Sequence, residues 1–127
     1  MAIAAQHSDD EVSDAARIRI FGRLSDAWGL TGSERATLLG AAQRTFHRWK
    51  SNPEAARLSR DQRSRITYLV NMFVDARTIF DDDAFADTWI RRPNAAFGGK
   101  PAIEVLMNGT FADLVRIGEY LHRGAGG

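Results

Sequence analysis

At 127 residues, with 44% apolar and 9% aromatic side chains, the chain is long enough for one modest core and too short for two. It contains no cysteine, which excludes a disulfide framework, thiolate metal sites and cysteine nucleophiles and fits a reducing compartment. The net charge is only +1, yet residues 31–65 hold eight Arg or Lys against three acids, a local +5. Such a patch suits a phosphate-bearing partner, because Lys and Arg neutralise phosphates with release of counterions; a solvated charged face is the competing reading. No window approaches the roughly 20 apolar residues of a membrane span, and no basic patch followed by an apolar run opens the chain. A soluble, unexported, cytoplasmic protein is expected.

Residues 1–11 are small and polar without periodicity and read as a disordered tail. From about Val12 to Trp28, Ile20, Phe21, Leu24 and Trp28 fall on one helical face, with Ser13 or Asp10 as cap and Gly29 as stop. Thr31 and Glu34 then form a T-x-x-E capping box for a short helix that Gly40 ends. A third helix, about Ala42 to Lys50, carries Phe46 and Trp49 on one side and Gln43, Arg44, His47 and Arg48 away from it, until Asn52 and Pro53 stop it.

The stretch L-T-G-S-E-R-A-T-L-L-G-A-A-Q-R-T-F-H-R-W-K-S, Leu30 to Ser51, resembles the helix-turn-helix of Xre-type DNA-binding domains. The resemblance places the helix after the glycine turn in the major groove. It makes Gln43, Arg44 and His47 base-reading candidates and Thr45, Arg48 and Lys50 phosphate-contacting ones. Gln pairs bidentately with adenine and Arg with guanine, so the residue types suit the task. Short helix pairs also occur as plain core, and Arg48 pinned by an acid such as Glu34 is the alternative.

A second capping box, Ser59 with Gln62, opens the longest helix, about Arg60 to Phe80. Its stripe Ile66, Leu69, Val70, Phe73, Arg77 and Phe80 predicts a central strut. Val74 and Ile79 lie off that stripe, as a second buried face or a self-association surface, with burial the expected reading. Asp81 to Asp83 invite a metal hypothesis, but adjacent aspartates diverge in direction, and capping a short helix around Phe85 to Ile90 is the better account. After it, Pro93, Asn94, Phe97, Gly98 and Gly99 predict an ordered loop anchored by Phe97. Pro101 opens a short helix ended by Asn108 and Gly109, and Thr110 with Asp113 opens another carrying Phe111, Leu114, Val115, Ile117 and Leu121.

Trp89, Pro93, Asn94, Phe97, Gly99, Pro101, Leu106, Gly109, Val115 and Leu121 together resemble the toxin-binding domain of the Xre/MbcA/ParS antitoxins, although the spacing from Phe97 to Pro101 is tight for that pattern. With the helix-turn-helix, the resemblance covers about residues 15–121. It implies an antitoxin that silences a cognate toxin with a RES domain, an NAD-consuming enzyme, by covering its active site with the C-terminal end, and that represses the shared operon by binding operator DNA. The toxin-binding candidates are Tyr120, His122, Arg123, Gly124, Gly126 and Gly127. A glycine-rich end can thread a narrow cleft, and Arg123 suits a carboxylate there; fraying is the plain alternative by composition.

The expected architecture is all-α, with six or seven helices. The tail (1–11) is followed by an Xre-like helix-turn-helix region (12–58) and a central helix plus toxin-binding domain (59–127). No enzyme activity, catalytic residue, metal site or cofactor is expected: His7, His47 and His122 are scattered, and neither G-x-G-x-x-G nor a P-loop is present. The partners expected are the toxin, operator DNA and a second copy, in a homodimer or higher toxin–antitoxin assembly, with no membrane. The alternative is a stand-alone Xre-like transcriptional regulator whose C-terminal domain dimerises.

Overall fold

The computed structural model describes residues 12–127; the expected disorder of residues 1–11 and the alternative cap at Asp10 lie outside the described residues. Seven α-helices form the described fold: α1 (Asp14–Ala27), α2 (Gly32–Leu39), α3 (Gln43–Ser51), α4 (Arg60–Ile79), α5 (Asp83–Ala86), α6 (Ala102–Leu106) and α7 (Phe111–Gly124). Short 3-10 turns occupy Pro53–Ala55, Trp89–Arg91 and Ala95–Phe97. The all-α expectation holds, and no helix among the described residues is long and apolar enough to cross a membrane.

Most helix starts are where local chemistry demands. Ser13 accepts from the Ala16 amide at 3.0 Å, and Thr31/Glu34 and Ser59/Gln62 form complete capping boxes. Asp82 accepts from the Ala84 amide and Thr110 from the Asp113 amide, so the aspartate run does cap a helix. The segment expected as one helix over 85–90 instead splits into α5 and the turn at Trp89–Arg91. Pro101 stands one residue earlier than expected, as the N-cap of α6.

α4 is the strut, about 30 Å long at 1.5 Å per residue. α1 lies alongside it in parallel, with Asp14 beside Arg63 at one end and Trp28 against Phe73 further along. α7 also runs parallel to α4, with Phe111 at Tyr68, His122 at Asp75 and Gly124 at Ile79. The core is continuous from Ile18 and Phe21 through Leu38, Leu69 and Met72 to Leu114, Ile117 and Leu121, so both halves of the chain share it.

Three apolar residues differ from expectation. Ile20 is 41% exposed, because α1 buries Ile18, Phe21, Leu24 and Ser25, and a residue two positions from Ile18 points to the opposite side. On α4 the buried line is Ile66, Leu69, Met72 and Ala76, rotated from the stripe expected, which leaves Val74 and Ile79 on the surface rather than in a second core.

Beyond α4 the chain returns as a tight connector. The amide of Asn94 donates to the Lys100 carbonyl and that of Gly99 to the Asn94 carbonyl, while Pro93 pairs with Pro101. Gly98 and Gly99 take φ of 67° and 84°, which admits the reversal without a Cβ clash. Phe97 is buried under it, as the loop reading requires.

Candidate nucleic-acid and partner interfaces

The turn between α2 and α3 is held from behind. Gly40 has φ 77°, and the Gln62 side chain donates to its carbonyl at 3.0 Å, so the cap of α4 also clamps the turn. A Cβ on Gly40 would come within 3.3 Å of Arg65 Nε. α3 then buries Phe46 and Trp49, and Phe46 meets Phe21 edge to face at 5.4 Å.

With that side sunk in the core, Gln43, Arg44, His47 and Arg48 are exposed at i, i+1, i+4 and i+5, one face of the helix. Arg44 and Arg48 make no hydrogen bond or ion pair among the described residues. Glu34 does not pin Arg48: its carboxylate is taken by Arg91, at 2.6 and 3.1 Å, and Arg91 also donates to the Gly29 carbonyl. Hydrogen bonding from Arg91 holds the Glu34 carboxyl below its ordinary range, against the opposing effect of burial, and the same pair raises Arg91. Two other members of the expected set stand apart. Thr45 is half-buried, and Lys50 is 4.0 Å from Asp26, which Arg35 already holds at 2.8 Å. A groove of about 420 Å³ runs between the start of α2 at Gly32 and Gln43, Arg44, His47 and Lys50 on α3.

The second candidate surface is the end of α7. Tyr120 is not an exposed anchor: it packs on Phe97 at 5.1 Å and stacks on Trp89 at 6.5 Å, half-buried, because the connector folds beneath it. His122, Arg123, Gly124, Gly126 and Gly127 are exposed. The glycine-rich segment is neither frayed nor extended here. Helix α7 continues to Gly124, and the Gly126 amide donates to the Arg123 carbonyl and the Gly127 amide to the His122 carbonyl. With Gly126 at φ 95°, these two bonds form a Schellman stop. Gly127 lies on the His122 ring, where a Cβ would overlap the imidazole, and Gly124 leaves room for Ile79. His122 Nδ1 is 3.2 Å from Asp75 Oδ2.

Sequence reasoning did not single out Asp75 or Arg91. Asp75 had a usable signal, since an acid in register with the buried line of α4 requires a partner. Arg91 had none, lying 57 residues from Glu34.

The two interfaces sit toward opposite ends of α4, the glycine turn at Gln62 and the last turn of α7 at Ile79, about 25 Å apart along the helix. A helix-turn-helix with a bare basic second helix, sharing its core with a unit that offers a separate exposed end, defines a DNA-binding protein with a distinct partner surface. Residues 8–71 match the antitoxin Xre-like helix-turn-helix domain, and residues 75–127 match the antitoxin Xre/MbcA/ParS C-terminal toxin-binding domain. The chain belongs to the Xre/MbcA/ParS family of antitoxins. It is also 32% identical over 121 residues to an uncharacterised protein, y4oB, of Sinorhizobium fredii, covering 94% of this chain and 92% of that one.

Proposed function

We propose that this antitoxin neutralises a RES-domain, NAD-consuming toxin by direct binding, with the end of α7 covering the toxin's active site, and that it represses its own operon through α3. The observation that carries the DNA half is the outward face of α3, where Arg44 and Arg48 stand side by side without a partner among the described residues, whereas Arg19, Arg35, Arg63, Arg65, Arg77 and Arg91 are each held by a carboxylate. Gln43 and His47 would read bases, with Arg44, and Arg48 would meet phosphate, with Thr45 and Lys50 as further phosphate contacts at the edge of the face. Two copies would match a two-fold operator.

The toxin half is supported by the exposed segment His122 to Gly127, whose glycines can open from the Schellman stop into an extended run that enters a cleft. The separation of about 25 Å along α4 supports occupation of both surfaces at once.

The test is co-expression with the product of the neighbouring reading frame. Cells making that product alone should stop growing with depleted NAD, and cells making both should grow and yield a stable complex. Normal growth and NAD in cells making the neighbour alone would remove the RES assignment.

A further inference from the structure

We infer that the slot between α4 and α7 around Asp75 is a receptor for an arginine side chain of the toxin. Asp75 is the most buried acid of the described residues, 9% exposed on a helix that otherwise buries apolar side chains there. Every other carboxylate that forms an ion pair among the described residues is matched to an arginine. Among the described residues Asp75 has only the imidazole of His122, whose side chain is 64% exposed and which offers one ring nitrogen where an arginine offers a two-pronged fork. A carboxylate removed from water with a single side-chain contact is held at a cost that an incoming cation relieves.

The space for that cation is present. A cavity of about 190 Å³, open to solvent, is lined by Tyr68, Asn71, Asp75, Gly118, Glu119 and His122. Gly118 keeps it open: a methyl at that position would lie 3.2 Å from Tyr68 Cδ1. Glu119, exposed at the rim, adds a second negative charge and makes no ion pair among the described residues. A planar guanidinium suits these walls better than a metal. It can fork onto a carboxylate and stack on the Tyr68 ring, whereas no group of three His, Cys, Asp or Glu converges to ligate an ion among the described residues.

His122 connects this slot to the chain's end, since one side of its ring meets Asp75 and the other carries Gly127. An arginine that takes Asp75 displaces His122 and with it the seat of Gly127, releasing the segment to extend.

The inference rests on the antitoxin reading, and two measurements on the full chain test it. In 15N–1H spectra, N-acetyl-arginine amide should shift the amides of Asn71, Asp75, Gly118 and His122, and its neutral analogue N-acetyl-citrulline amide should leave them in place. An equal response to both, or none to either, overturns the slot. With the toxin, Asp75→Asn keeps the shape and an acceptor for His122, and should weaken the complex about tenfold or more. Glu104→Gln, an exposed acid on α6, should stay within about twofold. Equal losses from both variants would assign the effect to net charge, and no loss from Asp75→Asn would also overturn the inference. If Asp75→Asn melts poorly, Gly118→Ala narrows the slot while favouring the helix, and it should weaken the complex in the same way; unchanged binding counts against the slot. The two failures separate cleanly: a wild-type chain that binds no toxin sinks the antitoxin reading, whereas wild-type binding with an indifferent Asp75→Asn sinks only the slot.

Discussion

Glu34 joins the two halves of the molecule through one carboxylate. It accepts from the Thr31 amide to cap α2 and from both terminal nitrogens of Arg91, which belongs to the returning connector. Its folded pKa is depressed from an ordinary 4.5, with the Arg91 hydrogen bonds as the largest cause. A depressed carboxyl contributes stability that is fully present above its unfolded value and is lost as pH falls through the folded one. Glu34→Gln should therefore cost on the order of 1 kcal/mol at neutral pH, a modest figure because Arg91 is partly solvated. The variant should also lose less stability than wild type on acidification below about pH 4.5, in urea-unfolding midpoints measured across that range. Parallel pH profiles would take Glu34 out of the acid response. Arg44 and Arg48 present the opposite case, charges with nothing in the fold to hold. Replacing both with Ala should weaken operator binding severely and lower the slope of log affinity against log salt by about one for each phosphate no longer neutralised, with stability changed by no more than about 0.5 kcal/mol. A double variant that binds operator normally in a gel-shift titration would sink the assignment of this face.

Among the elements, α7 separates what is legible in the sequence from what is not. Its start is legible because Thr110 and Asp113 are three residues apart and the cap is local, as at Thr31/Glu34 and Ser59/Gln62. Its end is not legible from composition, because the glycines from Gly124 to Gly127 suit a loose tail and a Schellman stop alike, and the stop needs only one glycine in the left-handed region. Gly126→Ala would force a Cβ into that region at about 1–2 kcal/mol. The penalty falls on the last turn, so the amides at positions 126 and 127 should exchange faster with the melting temperature almost unchanged; unaltered exchange would show that the turn is held by other interactions. The helix faces are half legible. The period of α4 is evident, but the rotation that exposes Val74 and Ile79 depends on where α1 and α7 lie, which no local spacing encodes. For the same reason the α3 surface is foreseeable from one helix's pattern, whereas the Tyr120 packing and the His122–Asp75 pairing, formed across 23 to 47 residues, are not.

At the scale of the molecule, the two family matches meet inside α4, yet the core does not divide there. Leu69 and Met72, nearly inaccessible, belong to the same core as Phe21 and Leu38 of the first half and Leu114, Ile117 and Leu121 of the second. A chain cut after Asn71 should thus fail to fold on its own, giving weak near-UV circular dichroism and no cooperative melt; a sharp transition in that fragment would establish an autonomous DNA-binding half. Because α4 and α7 lie in parallel, the chain must travel back along the strut before α7 can pair with it, and no nearby hairpin can substitute for that pairing. During synthesis, α1 to α4 must therefore wait, with an unfinished apolar surface, until α7 has cleared the ribosome. Helix α3 shares one core with α7, so a product that ends before α7 should be degraded by proteases rather than persist as a folded helix-turn-helix.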